Sequence, residues 1–525
     1  MNKKNKPQRV RNTRRLRFGT TSTVLTVVVI AAVVLLNVLV GIVADKFPVT
    51  WDLSSDKVFT LSNESVEIAK GVTKDVEIVL FLAEEELTNP TLGSAFNVEE
   101  LNTCMKELYT ALQQYSNHSG EKVTFKFINP DQEPTKYAAY SDYEVEAGDI
   151  LFISGERHRV CTIYDLNNFV SDIYPELYSY GYYNTSFESK VEQVLASNIH
   201  ALQSEKDRVV QVLVGHSEDS NTIAGLKTLY ELNGFTFKEN TITGSAEFDE
   251  NAEVMLIAAP TTDYSNAEIQ RVQEWVYNDG NYGRHLMVFV SPTANCPNLY
   301  ELLDVQYGIQ VTDELLLETD YNRMYYYTPT FPFGDIPTTD YTGKSASTGK
   351  LCTPTARRLT TSLASAPEQE DAAIYDIGVP LTNYPESAQL IKLEDYSKEN
   401  VEGVYKADNA EYPLTSMIAC VKKGYNNNIY EDTYGTIVVS GCPAMAYSEY
   451  VQYAAFSNED LLLDVVNSVT GYENSITISN KVLTTDTVTF DGGVQLWVGL
   501  GLFTIGIPVV LLVVCLVVFL RRKNL

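Results

Sequence analysis

The 525-residue chain carries 39 Lys plus Arg against 68 Asp plus Glu, with 45% hydrophobic and 20% charged residues, a balance that excludes a disordered or collagen-like chain. Eight basic residues lie in 1–23 and three in 521–525, so the remaining 28 face all 68 acids between 44 and 493, a net charge of −40 (28 − 68). That field excludes nucleic acid as a partner of this part.

Residues 1–23 form a basic tail, and Val24 to Val43 is an uncharged run. At about 1.5 Å per residue it is long enough to cross a hydrocarbon core of about 30 Å, and it is expected to be a transmembrane helix. It exceeds the apolar core of about 7 to 15 residues that a cleaved signal peptide has. Asn37, Gly41 and Ala44 follow at helical spacing, giving a face of one amide and two small residues suited to contact with a permease helix. A second apolar run, 494–520, stops at Arg521-Arg522-Lys523 in the tail 521–525. The positive-inside rule then predicts a two-pass protein of the cytoplasmic membrane, with both termini cytoplasmic and the main part extracytoplasmic.

The first exterior unit is expected over 44–204. Ser62 or Asn63 can cap a short helix that Gly71 ends. DVEIVLFL, a helix from about Phe96 to Tyr115, KVTFKFINP and strands near 149–154 and 157–163 follow, giving the order βαβαββ of a thioredoxin-like domain. No cysteine opens its long helix, so redox chemistry is not expected. Tyr174, Tyr178, Tyr180, Tyr182 and Tyr183 could stack on sugars, and a helix from about Phe187 to Leu202 carries an apolar stripe.

RVVQVLVGHSED, AEVMLIAAP, HLMVFVSP and TIVVSGCP read as buried parallel strands. Helices lie between them, one opening on the capping box Ser265 to Glu268. Residues 205–300 and 412–475 are therefore expected to form one doubly wound, Rossmann-like α/β domain, interrupted by a Tyr/Thr/Ser-rich insertion, 301–411, of irregular strands and loops. Residues 476–493 read as a membrane-proximal linker.

Gly215-His216-Ser217-Glu218-Asp219 nearly spells the nucleophile turn G-x-S-x-G, but Asp219 stands where the last Gly is needed, and His285 precedes a strand. Cys442 ends a strand, yet Pro443 after it has no N–H for an oxyanion. Gly343-Lys344-Ser345 lacks the earlier glycine of a phosphate loop, with Thr338 in its place. The histidines show no zinc spacing, and neither cofactor nor metal is expected. Six cysteines lie between 104 and 442 without a C-x-x-C pair, so sequence selects no disulfide pairing.

Several motifs in order resemble a known family: DLSSDKVFTLS, VLVGHSE, IAAPTTDYSNAEIQRVQEWV, LMVFVSP, NLYELLDVQYGIQVTDELL, VVSGCPA and SNEDLLLDVVNSVTG. The chain is similar to the Gldg-type, gliding-motility-associated auxiliary proteins of ABC transport systems. It departs from them at Ser217, where they usually have Gly, and at the inserted Asn281-Tyr282-Gly283. The resemblance implies a glutamine-amidotransferase-like α/β domain and a non-catalytic subunit beside a separate ATPase and permease. A cell-wall hydrolase or esterase is the alternative from another class, and a tyrosine-based surface adhesin a third. Doubly wound sheets bind ligands outside the carboxyl ends of their strands. Gly215, His216, Ser217, Glu218, Pro260, Ser291, Pro292, Gly441 and Cys442 are therefore expected to line one crevice, with His216 and Glu218 as its titratable members. In the competing reading His216 and Glu218 only tie the strand end to the next helix.

Overall fold

The computed structural model describes residues 52, 54 and 56–483, apart from 93–98, 168–186, 205–206, 245–246, 338–349, 362–373, 385, 400, 407–413, 427–429, 454–455 and 471–477. The chain divides into residues 1–53 and 54–525, and every element below belongs to the second unit.

The unit opens with helix α1 (Asn63–Gly71), where the Ser62 hydroxyl accepts the Ser65 N–H. Strand β1 (Val76–Leu80), helix α2 (Glu99–His118) and strands β2 (Val123–Phe127), β3 (Asp149–Ser154) and β4 (Arg157–Thr162) follow. They form a sheet in the order β2-β1-β3-β4, with β1 parallel to β2 and antiparallel to β3, and β3 antiparallel to β4. The two-residue period of β1 sends Ile78 and Leu80 toward Leu108, Leu112 and Tyr115 of α2. Val79 instead joins Phe81 and Leu151 on the other face. Strand β5 (Phe187–Ser189) and helix α3 (Val191–Gln203) come next, and Val191, Leu195, Ile199 and Leu202 of α3 complete the first of these cores.

The second half begins with β6 (Val209–Val214), α4 (Ser220–Leu232), β7 (Thr236–Thr241), β8 (Ala252–Ala258), α5 (Asn266–Tyr277), β9 (His285–Phe289) and α6 (Pro297–Tyr307). The stretch 301–411 supplies β10 (Ile309–Glu318), β11 (Phe333–Asp335), β12 (Leu351–Cys352), β13 (Arg357–Thr361), β14 (Ile374–Asn383), β15 (Ala388–Lys392) and β16 (Val404–Tyr405). The chain continues through β17 (Met417–Asn426), β18 (Glu431–Ser440) and α7 (Asn458–Val469) to β19 (Lys481–Leu483).

Among the described residues nine strands make the larger sheet, ordered β12-β11-β14-β17-β18-β9-β8-β6-β7. The pairs from β18 through β9, β8 and β6 to β7 are parallel. From β18 to β12 every pair is antiparallel. Leu226 and Leu229 of α4 and Leu462 and Val466 of α7 cover one face, against Val210, Val212 and Leu256. Val272 and Trp275 of α5 and Leu299 and Leu303 of α6 cover the other, against Leu213, Met255 and Ile257. Burial on both faces is why these strands read as unbroken apolar runs. A smaller sheet runs β13-β10-β15-β16, and β19 pairs antiparallel with β5.

The architecture is thus mixed α/β with several sheets. The expected two-pass membrane placement is corrected: among the described residues no helix is long and apolar enough to cross a membrane. The 20-residue α2 has the length, but Glu99, Glu100, Lys106 and Glu107 interrupt it. The apolar runs 24–43 and 494–520, the face Asn37, Gly41 and Ala44, and the tyrosines of 174–183 lie outside the described residues.

Candidate functional site

The parallel strands run β7-β6-β8-β9-β18 across the sheet, so the crossovers from β6 and from β8 go opposite ways and leave a switch point between these two strands. In this architecture the crevice for a ligand opens there, at the carboxyl ends. Gly215 to Glu218 leave β6 at that point and Ala259-Pro260 leave β8. The backbone turns sharply, with φ of +134° at Gly215, +55° at Ser217 and +50° at Ala259. The loops are laced together: the N–H groups of Thr261 and Thr262 donate to the His216 carbonyl at 3.2 and 3.0 Å, and the Thr261 hydroxyl donates to the Ser217 carbonyl.

Carboxylates of the chain occupy the backbone N–H groups of this rim. Glu218 accepts from Gly215 N at 2.9 Å and from His216 N at 3.0 Å. Asp219 caps α4 through Asn221 N and Thr222 N and accepts the Tyr447 hydroxyl at 2.7 Å. Glu268 and Ser265 form the capping box of α5. Asp263 accepts from Asn298 N and Leu299 N at the start of α6. Such N–H clusters are the places where an anionic ligand would otherwise bind.

His216 lies inside this ring of acids. Its imidazole stacks on Tyr264 with centroids 4.1 Å apart, and its Nε2 sits 3.3 Å from Glu268 Oε2. Burial raises the Glu268 carboxyl, but the donors of Ser265 and the charge of His216 more than offset this, leaving its pKa below the ordinary value. The Tyr264 hydroxyl donates to Glu218 at 3.4 Å, and burial together with the Glu218 charge holds the phenol well above its usual range.

Ser291 ends the β9 segment with its hydroxyl accepting Ala294 N; Pro292 follows it. Gly441 and Cys442 follow β18. The Cys442 thiol is fully buried, donates to the Pro354 carbonyl at 3.2 Å and is pushed up to about 12 by burial. Between these two strand ends lies Arg357 of β13, which sequence reasoning missed. Its guanidinium donates to the carbonyls of Thr312 (2.6 Å), Ser291 (3.2 Å) and Ala294 (2.7 Å), to the Tyr300 hydroxyl (3.1 Å) and to Asp313 Oδ1 (2.8 Å). Gly441 is required here because an added Cβ would stand 2.1 Å from the Arg357 carbonyl. The sequence of the 301–411 insertion, expected only to hold irregular strands and loops, carried no signal for these distant carbonyls.

Ser217 has the left-handed backbone of a nucleophile turn, but the histidines are engaged elsewhere. His285 sits at the amino end of β9, accepts the Thr436 N–H at 3.1 Å through Nδ1 and is pushed down to about 4 by burial. His216 is held by Glu268 and Tyr264. Among the described residues no group of three His, Cys, Asp or Glu side chains has metal-binding geometry.

Comparison with known proteins gives limited likenesses. A family profile described as a domain of unknown function (DUF7088) matches residues 55–161, the stretch from before α1 to β4. Comparison with curated proteins finds no match. Among solved structures the chain is similar to the mmIFT52 N-terminal domain, at 13% identity and a TM-score of 0.34, over 50% of this chain and 97% of that one. It is also similar to the exo-beta-1,4-mannosidase Op5Man5 from Opitutaceae bacterium strain TAV5, at 9% identity and a TM-score of 0.25, over 69% of this chain and 49% of that one. Neither TM-score is high enough to bear on fold or function.

Proposed function

We propose that this chain is a non-catalytic auxiliary subunit of an ABC transport system, working beside a separate ATPase and permease. The observation that supports a non-catalytic role is the rim of the switch point, where Glu218, Asp219, Glu268 and Asp263 fill the N–H groups an anionic substrate or cofactor would use. The transport assignment is supported by the ordered motifs resembling the Gldg-type proteins. Within this reading the sheet order β2-β1-β3-β4 favours a thioredoxin-like first domain. The parallel series β7-β6-β8-β9-β18 favours an amidotransferase-like second one. The loops of Gly215 to Glu218, Pro260, Ser291-Pro292 and Gly441-Cys442 then present a recognition surface for a partner or ligand without covalent chemistry.

The test is affinity purification of the tagged full chain, cross-linked in its own cells, followed by mass spectrometry. An ATPase and a multi-span permease recovered together at levels comparable to the bait are expected. Neither protein enriched, together with ester hydrolysis by the purified chain that Ser217→Ala abolishes, overturns the reading in favour of a hydrolase.

A further inference from the structure

Outside the switch-point loops, α1, α2 and α3 enclose a triad of charged side chains that the proposed function does not use. Glu107 of α2 and Glu192 of α3 have side chains only 3% exposed. Lys481 of β19 enters between them, with Nζ 2.6 Å from Glu192 Oε2 and 3.7 Å from Glu107 Oε1. Backbone groups fix both the amine and the carboxyl. The ammonium donates to the carbonyls of Thr60 at 2.8 Å and Val58 at 3.3 Å. The second oxygen of Glu192, Oε1, accepts the Ser62 N–H at 2.6 Å. Ile478 and Leu483, on either side of the lysine, are buried in one core with Leu108, Leu112 and Leu195, so the three groups meet in apolar surroundings.

An amine held against a carboxyl group, with a second carboxyl beside the nitrogen, supplies the nucleophile, the electrophile and the proton carrier that amide formation needs. The second carboxyl is what distinguishes this site. Lys190 and Glu459 approach as closely, at 2.6 Å, and are also largely buried, yet among the described residues no other carboxylate lies within ion-pair distance of Lys190 Nζ.

We propose that Lys481 and Glu192 become joined by an intramolecular amide bond, with Glu107 as the proton carrier. Nζ attacks Cδ of Glu192, and collapse of the tetrahedral adduct breaks the bond from Cδ to Oε2. Of the three ammonium protons one stays on the amide nitrogen and two leave on Oε2 as water, so the balance needs neither oxidant nor co-reactant. Glu107 Oε1 takes a proton from Nζ and passes it to the departing oxygen. The Ser62 N–H stays on Oε1, where negative charge gathers in the adduct.

Burial raises the Glu107 carboxyl to about 7, against Ser189 and Lys481 and with Glu192 adding to the rise; such a group can both accept and release a proton near neutrality. The ion pair is the resting form. Burial raises the Glu192 carboxyl too, but the donors of Lys481, Ser62 and Ser65 more than offset this. A reaction that occurs once in the life of each chain needs the neutral amine only transiently, and it replaces two buried charges by a neutral amide. The product ties β19 to α3 and makes a closed ring of the chain from 192 to 481, a constraint that acts on the unfolded state as a disulfide does. The bond is independent of the partner assignment above.

Protease digestion of the denatured full chain, read by tandem mass spectrometry, tests it. The expected product is a branched peptide carrying Glu192 and Lys481, lighter by one water than its two halves. Lys481→Arg removes the nucleophile and Glu107→Gln the proton carrier, and each should return two separate peptides of full mass. Lys190 and Glu459 should remain unlinked. Separate Glu192 and Lys481 peptides from the unmodified chain, a branched peptide as abundant in Glu107→Gln as in the unmodified chain, or an equal yield of a Lys190–Glu459 branch would each overturn the proposal.

Discussion

Replacing Arg357 by Met separates two accounts of why a guanidinium is buried between the ends of β9 and β18. Its side chain is 1% exposed, whereas its ion-pair partner Asp313 is 83% exposed. A carboxylate that open to water contributes about 0 to 1 kcal/mol to the pair. The carbonyls of Thr312, Ser291 and Ala294 are another matter, since each would lose a charged donor. Leaving a buried acceptor unpaired costs about 1 to 3 kcal/mol. With partial relaxation Arg357→Met should therefore lose about 3 to 5 kcal/mol, and Asp313→Ala under about 1 kcal/mol. Arg357→Lys keeps the charge, but a compact ammonium cannot span the same acceptors and should lose about 2 to 3 kcal/mol. Urea unfolding midpoints at constant slope measure all three. If Asp313→Ala cost as much as Arg357→Met, the ion pair would be the main contribution and the reasoning from deserted carbonyls would be refuted.

Gly225→Ala sets a helix gain of about 1 kcal/mol against a Cβ only 1.9 Å from the Ala446 carbonyl. The collision should win, lowering stability by more than about 2 kcal/mol in thermal unfolding. Glu218→Ala vacates the N–H groups of Gly215 and His216 and should create millimolar affinity for inorganic phosphate, by calorimetry, that the unmodified chain does not have; unchanged heats would count against the filled-site argument. Glu107 has its folded-state pKa raised from 4.5 to about 7, so the folded chain holds the extra proton between these values. Its contribution to stability is therefore fully present below pH 4.5 and lost as pH rises to 7, by about 3 kcal/mol at most. Glu107→Gln should remove that slope from a pH series of denaturation curves.

The parallel strands of the second half were legible because burial on both faces writes a continuous apolar word, as in RVVQVLV and EVMLIAA. The capping box of Ser265 and Glu268 was legible because its two partners are three residues apart. What sequence reasoning could not reach was contact between distant segments. Residues 476–493 read as a linker, yet Lys481 to Leu483 form a strand whose pairing partner lies nearly three hundred positions earlier. The crevice residues were found as strand ends, but the groups that engage them were not: Tyr264 against His216, Tyr447 against Asp219 and Arg357 against Ser291. Each is unremarkable in its own segment, and only the sheet order brings it to its partner.

The closure of the first module by β19 also sets an order of events in synthesis. Lys481 reaches the Val58 carbonyl across 423 positions of chain, and Ile478 and Leu483 fill a core whose other members lie between Val58 and Leu202. The part made first therefore waits, without the Lys481 ammonium that sits beside Glu107 and Glu192 and with part of its apolar floor uncovered, until the nine-stranded sheet has been translated. Contacts of such sequence separation form late, and surface left open in the interval is what chaperones recognise. A ribosome stalled before residue 478 would carry a finished-looking but unsealed module, and release of residues 478–483 from the ribosome would be the step that seals it.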